Sequence, residues 1–386
     1  MTAALPYRRL ASFYFFHYAA LGALVPYWSL YMIARGFSAV ETGQVMAIIL
    51  AGRVVAPTVW GWLADARGDA RLTLRLAALC AFLPFACVPL VTNFYSLAAV
   101  MSLFSLGLSG VIPQFEATTF NHLGATPERY GLVRLWGSVG FIVSVLGTGL
   151  ALGILPVTDL PWLVAALLAC MLASVWITPI TSALSATGES ALLEVLKKPE
   201  VLSLFLVCFL VQASFGPYYV FFSVFLEASG YGSAEIGFYW ALAVGAEIVV
   251  FMFAGQLLRR VRLTNLFRFA VGLSVVRWLL TAEFASLPLA LFFTQLTHMA
   301  TFGLYHLVAV SLVHRYFTGS LQVRGQGLYS SLSFGAGGVV GSIFSGYAWQ
   351  HFGATMTYYL AAAMAAVAFF FTLTLMRSVP PGTREA

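Results

Sequence analysis

The stretch Gly230 to Arg260, GYGSAEIGFYWALAVGAEIVVFMFAGQLLRR, is apolar for long enough to cross a bilayer as a helix, yet it carries the carboxylate Glu247 near its middle. At ~1.5 Å rise per residue that position falls close to the midplane of a ~30 Å hydrocarbon core. An ionised group there costs about 2.5–3.5 kcal/mol even on the lenient insertion scale, so it needs a partner, a proton or water. The same pattern occurs 194 residues earlier, in Gly36 to Ala66, GFSAVETGQVMAIILAGRVVAPTVWGWLADA. Gly36 and Gly230, Phe37 and Tyr231, Glu41 and Glu235, Gly43 and Gly237, Gly61 and Gly255, and Leu63 and Leu257 coincide, and Arg53 falls on Glu247. A repeated half with opposite charges at equivalent depths predicts a polar cavity on a pseudo-two-fold axis, the arrangement by which transporters built from repeats hold a solute.

The rest of the chain is of the same kind. With 61% hydrophobic and 9% charged residues and a mean hydropathy of +0.90, it is too apolar for a soluble domain of 386 residues. Twelve apolar segments are predicted, at about 10–33, 39–63, 72–92, 94–121, 131–154, 160–180, 201–227, 234–258, 264–284, 287–313, 326–349 and 354–376. The expected fold is an all-α membrane protein with twelve transmembrane helices in two pseudo-symmetric six-helix bundles. The polar stretch TSALSATGES with the amphipathic ALLEVLKKPE divides them, so the expected domains are 1–180, a cytoplasmic linker with a short amphipathic helix at 181–199, and 200–386.

The net charge of +6 does not point to nucleic acid, because the basic residues sit in short loops between apolar segments. With the N-terminus inside, all of the 20 Lys and Arg residues except Arg35, Arg53 and Arg277 fall on the cytoplasmic side. Both termini and the linker are therefore expected in the cytoplasm, with the chain as a multi-pass membrane protein. Cys80, Cys87, Cys170 and Cys208 all lie in apolar runs, offering neither a disulfide framework nor metal spacing. No nucleophile–base set or nucleotide loop occurs, so an enzyme is not expected, nor a metal or cofactor.

Of the 14 acidic residues only Glu116 and Glu247 lie at depth. With Arg53, Arg277, His17, His298 and His306 they form the intramembrane ionisable set, functional candidates by default. The plainer alternative is that Glu247 with Arg277, or Glu116 with Arg53 or Arg134, are buried pairs that hold helices together. Arg53 and Arg134 offer planar two-point donation suited to a carboxylate. Rings for an apolar slot come from Tyr14, His17, Tyr18 and Trp28 in the first segment, and from Phe215, Tyr218, Tyr219 and Phe222 in the seventh, although most rings in so aromatic a chain serve packing. Gln114, Gln212 and Gln295 rank lower, as helix bridges or cavity lining. On an α-helix His306 stands about 80° around from His298, which predicts that the two do not share a face. The run GAGGVVGS, Gly335 to Ser342, is read as a rocking surface whose small residues allow close helix packing.

The two-halves layout, together with Gly61, Leu63, Ala64, Asp65, Gly68 and Arg71 between the second and third segments, resembles the major facilitator superfamily and the signature gating loop of its members. Ala66 and Asp69 stand where that signature has basic residues. Within the superfamily nearly the whole chain resembles carriers of aromatic acids such as 3-phenylpropionate. This likeness runs through Val25 to Ser29, the stretch around Arg53, Tyr130 to Phe141, Gly245 to Phe251, Val275 to Trp278, and His298.

A more distant resemblance to the lactose permease type implies that Glu116 and Arg134 bind substrate and that Glu247, Arg277 and His298 couple it to protons. The chain departs at Thr301, where that type has a carboxylate. The resemblances imply a proton symporter that imports a small aromatic carboxylate by alternating access; Arg53, Glu116, Arg134, His17, Tyr18, Trp28 and Gln212 are the expected substrate-binding residues. Its expected partners are the solute, protons and the bilayer, without nucleic acid and as a monomer. A symporter of a neutral sugar or nucleoside, and a non-transporting sensor or scaffold, are the competing readings.

Overall fold

The computed structural model describes residues 5–374 other than 125, 127, 128 and 181–191. Among the described residues the secondary structure is helical, with no strand. The helices are α1 Tyr7–Ala34, α2 Ala39–Arg67, α3 Ala70–Ala86, α4 Phe94–Leu123, α5 Tyr130–Leu152, α6 Leu160–Ile177, the short α7 Leu192–Leu196, α8 Pro199–Ser214, α9 Gly216–Ala228, α10 Ser233–Arg260, α11 Leu263–Phe284, α12 Pro288–Leu296, α13 Tyr305–Tyr316, α14 Gln322–Tyr329 and α15 Gly338–Thr374. Ten helical stretches are long and apolar enough to cross a membrane. The stretch from Gln322 to Thr374 holds two crossings joined at Gly353, whose φ of 78° needs a glycine. With α1 these make the twelve expected crossings. The last part of the expected twelfth segment, 375–376, and most of the expected linker lie outside the described residues.

Local chemistry sets the ends. Ser38 and Glu41 form a capping box at the start of α2: the Ser38 N–H donates to Glu41 at 2.8 Å, and the Glu41 N–H donates to the Ser38 hydroxyl at 3.2 Å. Gly68, at φ 62°, ends α2, and the Asp69 carboxylate accepts from the Leu72 N–H at 3.0 Å to start α3. Asp69, which departs from the superfamily signature, thus caps a helix. α2 and α10 begin at Ala39 and Ser233, the same offset as the sequence repeat, so Arg53 and Glu247 stand at equivalent positions along their helices.

Three expected segments are interrupted. The seventh breaks at Phe215 between α8 and α9, because Pro217 has no N–H to continue the ladder. The tenth contains a π-helical turn at Met299–Leu304 between α12 and α13, and the eleventh another at Ser330–Gly337. These irregularities surround the polar residues of this half of the chain, as π-turns commonly do at functional sites.

The chain divides into two compact units: Met1–Ser185 with Tyr231–Ala241, and Ala186–Gly230 with Leu242–Ala386. The division falls inside the expected linker, and the first turns of α10 go with the first unit. There the Tyr27 hydroxyl lies 2.9 Å from the Val145 carbonyl oxygen and 3.3 Å from that of Ser233, in room left by Gly149 and Gly237.

Within the first unit α1 packs on α5 at backbone distance: a Cβ on Gly22 would lie 2.6 Å from the Phe141 carbonyl oxygen. Within the second, the glycine run makes the close seam expected of it. A Cβ on Gly337 would lie 2.7 Å from the Phe209 carbonyl oxygen, and one on Gly341 would run into Ala213. Backbone cannot yield as a flexible side chain can, so Gly341→Val is expected to destabilise the protein by about 1–3 kcal/mol. A lowered midpoint of thermal unfolding in detergent checks this.

Candidate functional site

Among the described residues each unit brings a cluster of polar groups together. In the first, α1 contributes Phe13, Tyr14, His17 and Tyr18, α4 contributes Phe115, Glu116 and Thr119, and α5 contributes Tyr130, Arg134 and Gly137. Phe13 stacks on Phe115 with centroids 3.6 Å apart, and the Tyr14 and Thr119 hydroxyls hydrogen-bond at 3.1 Å. Both contacts fix the face that α1 turns toward α4. The Arg134 guanidinium lies over the Tyr18 ring at 4.0 Å and near that of Tyr14 at 5.9 Å, attracted by the negative ring faces. Glu116 accepts from the Tyr130 hydroxyl at 2.8 Å, and it forms no ion pair with Arg134.

Among the described residues no acceptor lies within hydrogen-bonding distance of the Arg134 guanidinium. A cation largely removed from water is therefore held by aromatic faces, with its planar fork of donors available. His17, only 3% exposed, stacks on Phe13 and has no partner at Nδ1 among the described residues. The Arg134 and Arg53 charges both act on it. Room for the stack of Arg134 on Tyr18 comes from Gly137, where a Cβ would lie 2.6 Å from Arg134 Nη1 and 2.7 Å from the Tyr18 ring. Gly137→Ala is expected to displace the guanidinium and weaken solute binding about tenfold, corresponding to ~1.4 kcal/mol. A binding titration on the purified variant measures it.

In the second unit the residues converge on Arg277, which is fully buried. Its Nη1 lies 2.6 Å from His298 Nδ1 and donates to Thr301 at 3.0 Å, while Nη2 donates to the Gln295 carbonyl at 3.4 Å. The Tyr218 hydroxyl donates to the same Gln295 oxygen at 3.1 Å. Rings of Tyr218, Trp278 and Phe215 stand 4.5, 4.7 and 5.5 Å from the guanidinium carbon. On the far side of the imidazole, His298 Nε2 lies 2.7 Å from Glu247 Oε1. Glu247, His298 and Arg277 thus form one line, brought together from α10, the link after α12, and α11. No carboxylate among the described residues touches Arg277 directly.

The other candidates stand elsewhere. Trp28 is buried against Tyr31 and Phe85, three turns along α1 from His17, as part of the unit's interior. Gln212 is buried in the second unit with Nε2 unpartnered. Gln114 turns back to the Gly110 carbonyl of its own helix at 2.9 Å. Gly61 and Arg71 are exposed beside the turn at Gly68, while the side chain of Asp65 lies outside the described part.

His306 corrects the helical-wheel expectation. The π-turn at Met299–Leu304 takes up extra residues per turn, so His298, Phe302 and His306 share one face. Their rings stack in succession with centroids 5.1 and 6.3 Å apart, and His306 continues to the Tyr329 hydroxyl at 3.0 Å. The partner of Glu116, Tyr130, was not singled out from sequence. Its place at the head of α5, fourteen residues after a deep carboxylate, was the available signal.

Residues 7–360 match the MFS_1 like family, most of the chain. The chain belongs to that family. Among relatives of this family, it is 29% identical over 360 residues to the probable 3-phenylpropionic acid transporter of Escherichia coli strain K12, covering 90% of this chain and 92% of the relative. It is 27% identical over 347 residues to the maltose permease of Geobacillus stearothermophilus, covering 87% and 86% of the two chains. The crystal structure of the nucleoside transporter NupG superposes with a TM-score of 0.83 at 16% identity, over 97% of this chain and 99% of that one, a likeness of fold. These relatives and structural neighbours are transporters, not enzymes, and the chain is a multi-pass membrane transporter of the major facilitator type.

Proposed function

We propose that this transporter imports a small aromatic carboxylate of the 3-phenylpropionate class together with protons, by alternating access across a bacterial inner membrane, as a monomer with both termini in the cytoplasm. The observation that carries the reading is Arg134, a cation stacked on Tyr18 with its donors bonded to no acceptor among the described residues, beside His17 and the rings of Phe13 and Tyr14. A carboxylate accepts from a guanidinium at two points, and an aromatic tail gains from burial among rings. Arg53, on the exposed side of α2, adds positive potential. The likeness to the probable 3-phenylpropionic acid transporter supports the same class. Glu247, backed by His298 and Arg277, is the proton-accepting group in this reading, because it is the deep carboxylate of the second unit and remains about one-seventh exposed, 14%, while its partners are buried. One proton per anion makes transport electroneutral, driven by the pH gradient at ~1.4 kcal/mol per unit.

The likeness to a maltose permease favours a neutral sugar as the second reading. Purified protein in proteoliposomes, given an inward proton gradient and labelled 3-phenylpropionate, maltose or a nucleoside in turn, decides between them. Accumulation of the aromatic acid alone is expected. Accumulation of maltose without the acid would replace the proposal with the sugar, and no accumulation of any solute would favour a sensor.

A further inference from the structure

In the line of Glu247, His298 and Arg277 two side chains, the carboxyl and the imidazole, have a proton to gain or lose, and the geometry separates their roles. Arginine only donates hydrogen bonds. With Arg277 Nη1 2.6 Å from His298 Nδ1, that ring nitrogen is the acceptor and bears no hydrogen. The imidazole proton therefore sits on Nε2, which points at Glu247 Oε1 2.7 Å away and donates to it. Both ring nitrogens are in use. Converting His298 to an imidazolium would place a second N–H head-on against the guanidinium, two donors and two cations in contact.

Relief would require Arg277 to withdraw, and the packing opposes that. Arg277 is fully buried, boxed by Phe215, Tyr218 and Trp278, and held by Thr301 and Gln295. The other neighbours of the imidazole do not favour a second proton either. From α9 it meets the ring of Tyr218 at 5.4 Å, from the break before α9 that of Phe215 at 6.0 Å, and from its own helix Phe302 at 5.1 Å. Glu247 is the one carboxylate in contact among the described residues, and it faces the nitrogen that is already protonated.

We propose that His298 is a permanently neutral bridge, protonated at Nε2 and held there by Arg277, so that it positions the Glu247 carboxylate without itself carrying the transported proton. This rests on the proton-coupled reading for its meaning in transport. Thr301 has a part in the device: it satisfies Arg277 Nη1 without a charge, leaving the arginine to act on Glu247 through the imidazole. A carboxylate at that position would take Arg277 for itself and release Nδ1.

Two measurements test the proposal. Protein labelled with ¹⁵N-histidine, with the His298 signals assigned by their loss in His298→Gln, is expected to show protonated Nε2 and unprotonated Nδ1 unchanged from about pH 8 to about pH 5. In Thr301→Asp or Arg277→Gln the same imidazole should become doubly protonated within that window. A wild-type His298 that titrates there, or that carries its proton on Nδ1, overturns the proposal. In proteoliposomes, His298→Gln, whose amide keeps a donor for Glu247 but takes no proton, should retain at least half of the gradient-driven accumulation. A collapse of accumulation in both His298→Gln and His298→Asn, with exchange of labelled for unlabelled solute intact, overturns it as well. The spectrum needs no transport, so wild-type accumulation by Glu247→Gln would sink the coupling assignment while leaving the bridge standing.

Discussion

Glu247→Gln protein in proteoliposomes is expected to lose uphill accumulation of solute while still exchanging labelled for unlabelled solute across the membrane. With one proton per anion, a gradient of one pH unit supports about tenfold accumulation, and the variant should fall to about onefold. The substitution suits the purpose because it alters chemistry more than shape. A glutamine side-chain oxygen can still accept from His298 Nε2, so the line to Arg277 is preserved while the titrating oxygen is lost. A defect in solute binding would suppress exchange as well, and that pattern would remove Glu247 as the coupling group. So would accumulation equal to that of the unmodified protein.

The second large effect is expected at Arg134. Its guanidinium is held by the Tyr18 ring and is bonded to no acceptor among the described residues, so removing it leaves no protein group unpaired. Arg134→Gln should then weaken binding of an aromatic carboxylate by ~3 kcal/mol, a factor of about one hundred, because a desolvated charge pair is lost. Arg134→Lys keeps the charge but not the planar fork or the stacking, and should recover only part of the affinity. Titration calorimetry with 3-phenylpropionate and with its neutral amide makes the comparison: the acid should lose affinity and the amide should hardly change. Equal losses for both would mean that Arg134 supports the pocket instead of reading a carboxylate. Unchanged affinity for the acid would move the anion site to Arg53.

Much of this was legible in the chain as written. Apolar length and the 194-residue repeat led to twelve crossings, and the helix starts at Ala39 and Ser233 follow that repeat. The capping box at Ser38 and the glycine seam around Gly341 could likewise be read locally, because each depends on residues adjacent in sequence or on the small size of one side chain. Depth alone drew attention to Glu116, Glu247, Arg277 and His298, since charge is scarce in apolar segments.

What could not be read was which of these groups touch. Of the buried pairs weighed as the plainer alternative, which also included Glu116 with Arg53, the pairs Glu116 with Arg134 and Glu247 with Arg277 are not formed: Tyr130 takes Glu116, Tyr18 takes Arg134, and His298 stands between Glu247 and Arg277. Nor does the sequence show that Trp28 packs on Tyr31, because apolar character does not distinguish lining from interior, or that His306 shares a face with His298, because a helical wheel assumes a uniform turn that Met299–Leu304 does not keep.

Residue order alone specifies that the chain crosses a membrane repeatedly, where its helices start, and which few charges must be accommodated in oil. These are consequences of transfer free energy and hydrogen-bond satisfaction, summed over one segment at a time. That Arg134 meets aromatic rings and no acceptor among the described residues, while Arg277 donates to a histidine, is settled by tertiary packing alone. Those outcomes depend on angstrom-scale distances between helices remote in the chain, set by close packing at Gly137 and by a π-turn that no local pattern announces.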